Sequence, residues 1–192
     1  PVAYVPIDIS REQLGAVSAG LELEYPNVAV RPLCADYTRS LHLPPLPDHR
    51  RRLAFFPGST IGNFHPAEAT VFLSRIRRIV GRSGALVLGV DRRKDSDVLN
   101  RAYNDSEGLT AAFNLNMLWR INRELGADFD TSRFRHRAFF SERASRVEMH
   151  LESTDAQRVR VNGATIDFAA GETIWTESSY KYDPVKVAAL VG

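Results

Sequence analysis

The sequence predicts an α/β protein in which a parallel, doubly wound sheet is followed by a module of helices and antiparallel strands. Three observations carry this. Strand-like and helix-like segments alternate with short links through the first half. The segment GALVLGVD is apolar almost throughout, as a strand buried on both faces is. After Asp91 the pattern changes to a long helical stretch and then to antiparallel strand segments.

In chain order, VAYVPIDIS reads as a short strand ending at Asp8, and Ser10 is placed to cap a helix to about Leu23, its last turn weakened by Gly20. NVAVRPLCADY is a second strand ending near Asp36, followed by the proline-rich connector LPPLPDHRRR and the strand RLAFFPGS. His65-Pro66 opens a helix, since proline suits a first helical position; Val71, Phe72, Ile76, Ile79 and Val80 recur at helical spacing until Gly81. GALVLGVD is a strand ending at Asp91. SDVLNRAYNDSEGLTAAFNLNMLWRINRELG is helical with an interruption around Asn104 to Gly108, and Gly126 stops it. The stretch from Arg135 to Tyr182 reads as antiparallel strands with a hairpin at VNGATI, and DPVKVAALVG as the start of a returning helix.

Composition excludes several classes. A chain of 192 residues, 44% hydrophobic and 25% charged, has the means to bury a core. Its 25 basic and 23 acidic residues leave a net charge of +2, and no basic run interleaved with aromatics suggests a nucleic-acid groove. The densest positive cluster, His49-Arg50-Arg51-Arg52, reads as a solvated loop. No apolar run approaches the roughly 20 residues that cross a bilayer, and no signal peptide is present. Cys34, the single cysteine, rules out an internal disulfide and fits a reducing compartment, with cytoplasm the default. A start at Pro1, directly into a strand, suggests a processed or partial chain. His42, His65, His136 and His150 show no metal-ligand spacing.

In parallel sheets ligands sit beyond the carboxyl ends of the strands, and here those ends carry acids or a glycine-rich turn. Asp8 is placed to accept hydrogen bonds from ribose hydroxyls; equally, it precedes a helix whose N-terminus it favours. Asp36 and Tyr37 offer an acceptor for an adenine amino group and an apolar surface beside it. In GSTIGN, two glycines, two hydroxyls and an amide within six residues favour a binding loop over a plain turn. It lacks the lysine of a phosphate loop. From the residues alone, Tyr103 is equally a helix-face core residue, Met149 a strand gap-filler and Glu177 a solvated strand residue.

The segments FFPGSTIGNF, AYNDSEGLTAAFNLNMLWRINRELGADFD, RVEMHL and TESSYKY occur in the order and with the spacing of the L-histidine Nα-methyltransferases of ergothioneine biosynthesis, and the chain resembles that family over nearly all its length. The resemblance implies a partial Rossmann-like, S-adenosylmethionine-dependent methyltransferase sheet over residues 1–98, an α+β substrate-binding subdomain over 99–179, and a returning helix over 180–192. It implies S-adenosylmethionine as donor, held by Asp8 at the ribose and by Asp36 and Tyr37 at the adenine. It assigns L-histidine as substrate: the α-amine faces the Gly58 carbonyl, the α-carboxylate meets Asn63 and Tyr103, and the imidazole meets Met149, Glu177 and Ser179. No side chain is assigned as nucleophile or general base, because in-line transfer from a sulfonium needs an aimed amine lone pair above all.

The pattern departs from the family in three places. The glycine-rich donor loop after a first strand is missing, as is an N-terminal segment that brings a tyrosine to the pocket, and the last strands do not follow Gly192. These parts are expected from another chain or from the remainder of a truncated one. Three readings stay open: a histidine Nα-methyltransferase or its substrate-binding portion, a methyltransferase of the same family for another amino acid or amine, and a histidine-binding module without catalysis.

Overall fold

The computed structural model describes residues 2–46 and 51–191 and divides the chain into two compact units. The first comprises the residues up to Phe55 with Thr70–Val87, and the second Phe56–Ala69 with the residues from Leu88 onward. His49 and Arg50 of the basic cluster lie outside the described residues.

In the first unit β1 (Val2–Tyr4) and β2 (Ile7–Asp8) lead into α1 (Arg11–Glu24), followed by β3 (Val28–Val30) and β4 (Leu33–Cys34). β1 pairs with β3 and β2 with β4, both parallel, with Val2 opposite Val28 and Asp8 opposite Cys34. The break between β3 and β4 falls at Pro32, which has no N–H to give to a ladder. Ser10 caps α1 as the sequence indicates, its hydroxyl accepting from the Gln13 N–H at 3.4 Å. β5 (Leu53–Phe56) lies beside β6 (Ala85–Leu88), in the same direction, since the Ala85 and Gly89 N–H groups reach the carbonyls of Arg52 and Phe56. Between them α2 (Pro66–Val80) starts at the expected proline, with Glu68 accepting from the His65 N–H at 2.9 Å, and stops before Gly81 at φ 75°. The strands thus form separate parallel pairs, and the chain as a whole mixes helices and strands as an α/β protein does.

In the second unit α3 (Ser96–Tyr103) and α4 (Leu109–Leu125) are separated where the sequence indicates, and α4 ends at Gly126 with φ 62°. They pack on an antiparallel sheet of β7 (Phe134–Ser141), β8 (Arg146–Ser153) and, after the hairpin of β9 (Gln157–Val161) and β10 (Ala164–Phe168), β11 (Thr173–Tyr180). The order is β11-β8-β7. Asn162 and Gly163 turn the hairpin with φ of 46° and 82°, the left-handed pair that an Asn-Gly turn requires. The chain closes with α5 (Pro184–Val191).

Alternation along β8 sorts the two faces of this sheet. Val147, Met149 and Leu151 are buried, and Leu151 joins Leu118, Phe129, Phe134, Val159 and Phe168 in the main core. Val147 joins Leu99 and Phe140 in a second cluster against which Tyr103 packs. On the opposite face His150 stacks between Phe139 and Trp175, at 5.5 and 5.7 Å between centroids.

Candidate functional site

The glycine-rich turn is built by the need to pass very close to β11. Gly58 and Ser59 are both left-handed, at φ 73° and 61°, and lead into a 3-10 turn over Thr60–Asn63. Ser59 holds this conformation against the steric cost that a Cβ brings, ~1–2 kcal/mol. Ile61 is fully buried, and its carbonyl accepts from the Tyr182 hydroxyl at 3.4 Å. A Cβ on Gly62 would stand 2.8 Å from the Tyr180 carbonyl oxygen, and one on Gly89 would stand 3.1 Å from the Gly58 nitrogen. Both positions therefore need glycine for the turn to reach its place.

Glu177 owes its direction to an irregularity in β11. Trp175 is opposite His150 in the register, while Glu177 is opposite Met149, with a β-bulge between them. Regular alternation would put Trp175 and Glu177 on the same face. The extra residue, Thr176, ties its hydroxyl to the Met149 carbonyl at 3.0 Å and turns Glu177 toward the face shared with Ser179. Trp175 stays in the stack on the other face.

These elements enclose a cavity of about 360 Å³ lined by Gly58, Ser59, Thr60, Asn63, Asp91, Tyr103, Glu177, Ser179 and Lys181. The volume suits a small polar molecule. Of the residues assigned to the substrate, Gly58, Asn63, Tyr103, Glu177 and Ser179 come together here. Met149 is 4% exposed and sits outside the lining, as the cross-strand partner of Glu177. Tyr103 and Ser179, assigned to opposite ends of the substrate, are joined by a hydroxyl–hydroxyl bond of 2.9 Å. The backbone of Tyr103 is fixed as well: His136 Nε2 lies 2.9 Å from its carbonyl, while Asn114 Nδ2 lies 3.0 Å from His136 Nδ1, an arrangement that places the ring proton on Nε2.

Two lining residues fall outside the assigned set and its loop. Lys181 is buried, and its ammonium reaches the Ser179 hydroxyl at 2.7 Å, the Tyr103 hydroxyl at 2.9 Å and Asp91 Oδ2 at 3.1 Å. Asp91 also receives Lys94 at 2.6 Å. Burial pushes the Asp91 carboxyl up, but the hydrogen bonds and charges of Lys94 and Lys181 together outweigh it and hold it below the ordinary value. The sequence reading misses Lys181; the one signal for it is spacing, since Glu177, Ser179 and Lys181 alternate along one strand direction. Ser59 and Thr60 belong to the loop whose donors the sequence singles out.

Glu177 behaves differently. Burial pushes its carboxyl up and the Lys181 charge only partly offsets this; no donor among the described residues bonds its side chain. It is the one lining carboxylate left open to a cationic or N–H-bearing ligand.

The residues assigned to the donor lie in the first unit. Asp8 Oδ1 accepts from the Ser10 N–H at 2.7 Å, and no described donor occupies Oδ2, so the carboxylate has an oxygen to offer a ribose. Asp36 is engaged: Oδ1 takes the Thr38 N–H at 2.8 Å and its hydroxyl at 2.6 Å, and Oδ2 pairs with Arg39 at 3.2 Å. Those Thr38 bonds hold its carboxyl below the ordinary value. Tyr37 packs edge-on against Phe72 at 6.2 Å, and burial raises its hydroxyl, with Asp8 and Asp36 adding to the rise. Asp8 thus keeps one carboxylate oxygen without a described donor, and the Tyr37 ring belongs to the same unit.

The chain is 42% identical over 188 residues to the histidine N-alpha-methyltransferase of Mycolicibacterium smegmatis, covering 97% of this chain and 58% of that protein. Over 156 residues it is 28% identical to ergothioneine biosynthesis protein 1 of Neurospora crassa, covering 73% of this chain and 18% of that protein. Over 155 residues it is 28% identical to the L-tryptophan methyltransferase trpM of Psilocybe serbica, covering 77% of this chain and 41% of that protein. It spans 58% of the length of the mycobacterial relatives. The model of the histidine-specific, SAM-dependent methyltransferases matches residues 1–192, and the chain belongs to that family.

Proposed function

We propose that this chain carries the substrate pocket of an S-adenosylmethionine-dependent enzyme that methylates the α-amine of L-histidine, as far as trimethylhistidine, in ergothioneine biosynthesis. The observation that carries the proposal is Glu177, a partly buried carboxylate without a donor of its own in a polar cavity of about 360 Å³. An imidazole N–H satisfies it, whereas a purely apolar ring leaves it unpaired, and a site built around such a group rejects a ligand that lacks the matching donor.

The pocket acts by orientation. Asn63 holds the α-carboxylate with Tyr103 beside it, the Tyr103 hydroxyl proton being given to Ser179; Glu177 and Ser179 hold the imidazole, and the amine is left pointing toward the Gly58 side. Bound S-adenosylmethionine supplies an electrophilic methyl on a sulfonium, held at the ribose by Asp8 and beside the Tyr37 ring. The amine must present a neutral lone pair, and its proton is lost to water: among the described lining residues Asp91 is paired with Lys94 and Lys181, and Glu177 is taken by the ring. Met149, buried, stands opposite Glu177 on β8. The parallel strand pairs of the first unit are read as part of a Rossmann-like sheet, and the exposed free Cys34 suits a reducing, cytoplasmic setting.

The relative named as an L-tryptophan methyltransferase supports a second reading, an enzyme of this family acting on another amino acid. Indole also bears an N–H, but it offers no second ring nitrogen to Ser179. Mass spectrometry of the intact protein with S-adenosylmethionine and an equimolar mixture of amino acids separates the two. Methylated histidine alone is the expected product; a different methylated amino acid, or none, overturns the assignment.

A further inference from the structure

Lys181 has no part in the pocket as assigned, yet it is the lining residue with the most polar partners. Its side chain is 1% exposed. An ammonium has three N–H donors and no acceptor, and here all three are used, on Ser179, Tyr103 and Asp91. Burying such a cation is costly unless it is paired, so its placement needs a reason beyond packing.

The reason lies in what it does to the two hydroxyls. A hydroxyl oxygen has two acceptor lone pairs and one proton. Tyr103 Oη accepts from Lys181 and donates to Ser179 Oγ at 2.9 Å. Ser179 Oγ therefore accepts twice, from Lys181 and from Tyr103, and is left only with its own proton to give. Glu177, two residues along the same face, is by contrast an acceptor. The pair presents one donor and one acceptor to a ring between them.

We propose that Lys181 is a positioning residue that fixes Ser179 as a donor toward the substrate ring, so that the pocket takes neutral imidazole and refuses imidazolium. A neutral ring offers one N–H to Glu177 and one lone pair to Ser179. An imidazolium offers two N–H groups, and the second meets an oxygen with no lone pair left. The groups facing the ring are Glu177 and Lys181 from the β11 side, Tyr103 from the end of α3, and Asp91, itself held by Lys94, from the segment after β6. Glu177 alone attracts a cationic ring; Lys181 offsets that attraction as well as saturating Ser179. The inference rests on the reading of the pocket as a histidine site.

The test is calorimetric titration of L-histidine into the intact protein at pH 5.5, in buffers of different ionisation enthalpy, so that the protons exchanged on binding are counted. At this pH most free imidazole is charged, its ordinary pKa being about 6.5. The wild-type protein is expected to release close to one proton per histidine bound, and its affinity to fall about tenfold for each unit of pH below about 6.5. Lys181→Met frees a lone pair on Ser179, and its proton release should drop toward zero while its affinity at pH 7 falls. Equal proton release by the two proteins, or none by the wild type, overturns the role of Lys181. Absence of histidine binding by the wild type at every pH overturns the histidine reading and this inference with it. Should Lys181→Met not fold, Lys181→Met/Asp91→Asn removes both charges of the buried pair and carries the same expectation.

Discussion

Replacing Glu177 by glutamine separates what the pocket gives to the ligand from what it costs the fold. Glutamine keeps the shape and one acceptor oxygen but removes the charge. A hydrogen bond to a charged group is worth about 1.5–3 kcal/mol and a neutral one about 0.5–1.5, so histidine affinity should fall by about 1–2 kcal/mol, roughly 5- to 30-fold. Affinity for S-adenosylmethionine should not change if, as proposed, it rests on Asp8 and Tyr37 of the other unit. Stability should move the opposite way. Burial raises the Glu177 carboxyl in the folded protein, so the folded state binds its proton more tightly than the unfolded chain. Stability is then lost as pH rises from the unfolded value, about 4.3, through the raised folded one. The glutamine variant lacks that loss and should melt higher at pH 7 than the wild type, with the difference vanishing toward pH 4. Calorimetric binding and thermal melts at pH 4 and pH 7 read both effects. Equal losses of histidine and donor affinity, or a lower melting temperature at pH 7, would refute the argument.

Four other changes have definite expectations. Gly62→Ala places a methyl 2.8 Å from the Tyr180 carbonyl oxygen, so turn and strand must part; a cost of about 1–3 kcal/mol in urea unfolding and a weaker hold on histidine should appear together. Asp105 caps α4 by accepting from the N–H groups of Leu109 and Thr110, and its bonds with Thr110 bring the carboxyl down to about 2. The stability it gives is present above the unfolded value of about 3.9 and lost as pH falls toward about 2; Asp105→Ala should flatten that acid limb in melts between pH 5 and 2. Asp8→Ala should weaken S-adenosylmethionine binding by about 10-fold or more, whereas Asp36→Ala should chiefly loosen the turn that Thr38 and Arg39 make with it; a larger donor loss from Asp36 would reverse the assignment.

Much of the fold was legible because it follows from local signals. Pro66, Gly81, Gly126 and the Asn162-Gly163 turn act within a few residues, and each ends or opens an element where expected. Strand pairing was less so. The sequence reads NVAVRPLCADY as one strand, but Pro32 divides it, and the parallel strands stand as pairs. In the pocket, the loop and strand residues were legible by type, through the resemblance, but their directions were not. Period-two alternation puts Glu177 with Trp175, and only the bulge at Thr176, which has no residue signature of its own, separates them. Lys181 was overlooked for a related reason. A lysine in a strand end reads as solvated, and nothing nearby in sequence announces that Asp91 and Tyr103 will close around it.

The pocket gathers features that each work against stability. Ser59 is left-handed without being glycine, Glu177 is partly buried without a donor, Lys181 and Asp91 form an ion pair with the lysine fully buried, and β11 gives up its regular ladder beside Glu177. Elsewhere in the second unit the chain obeys the ordinary rules: helices capped, an Asn-Gly hairpin, an aromatic core of Phe129, Phe134 and Phe168. Backbone strain of the Ser59 kind costs ~1–3 kcal/mol and persists only where surrounding structure enforces it. Ile61, buried completely and tied to Tyr182, and the close approach of Gly62 to Tyr180 hold the Ser59 turn in place. The turn that breaks the strand after Phe56 is therefore an anchor first, and its polar residues reach the cavity because Ile61 and Gly62 leave the backbone no other course.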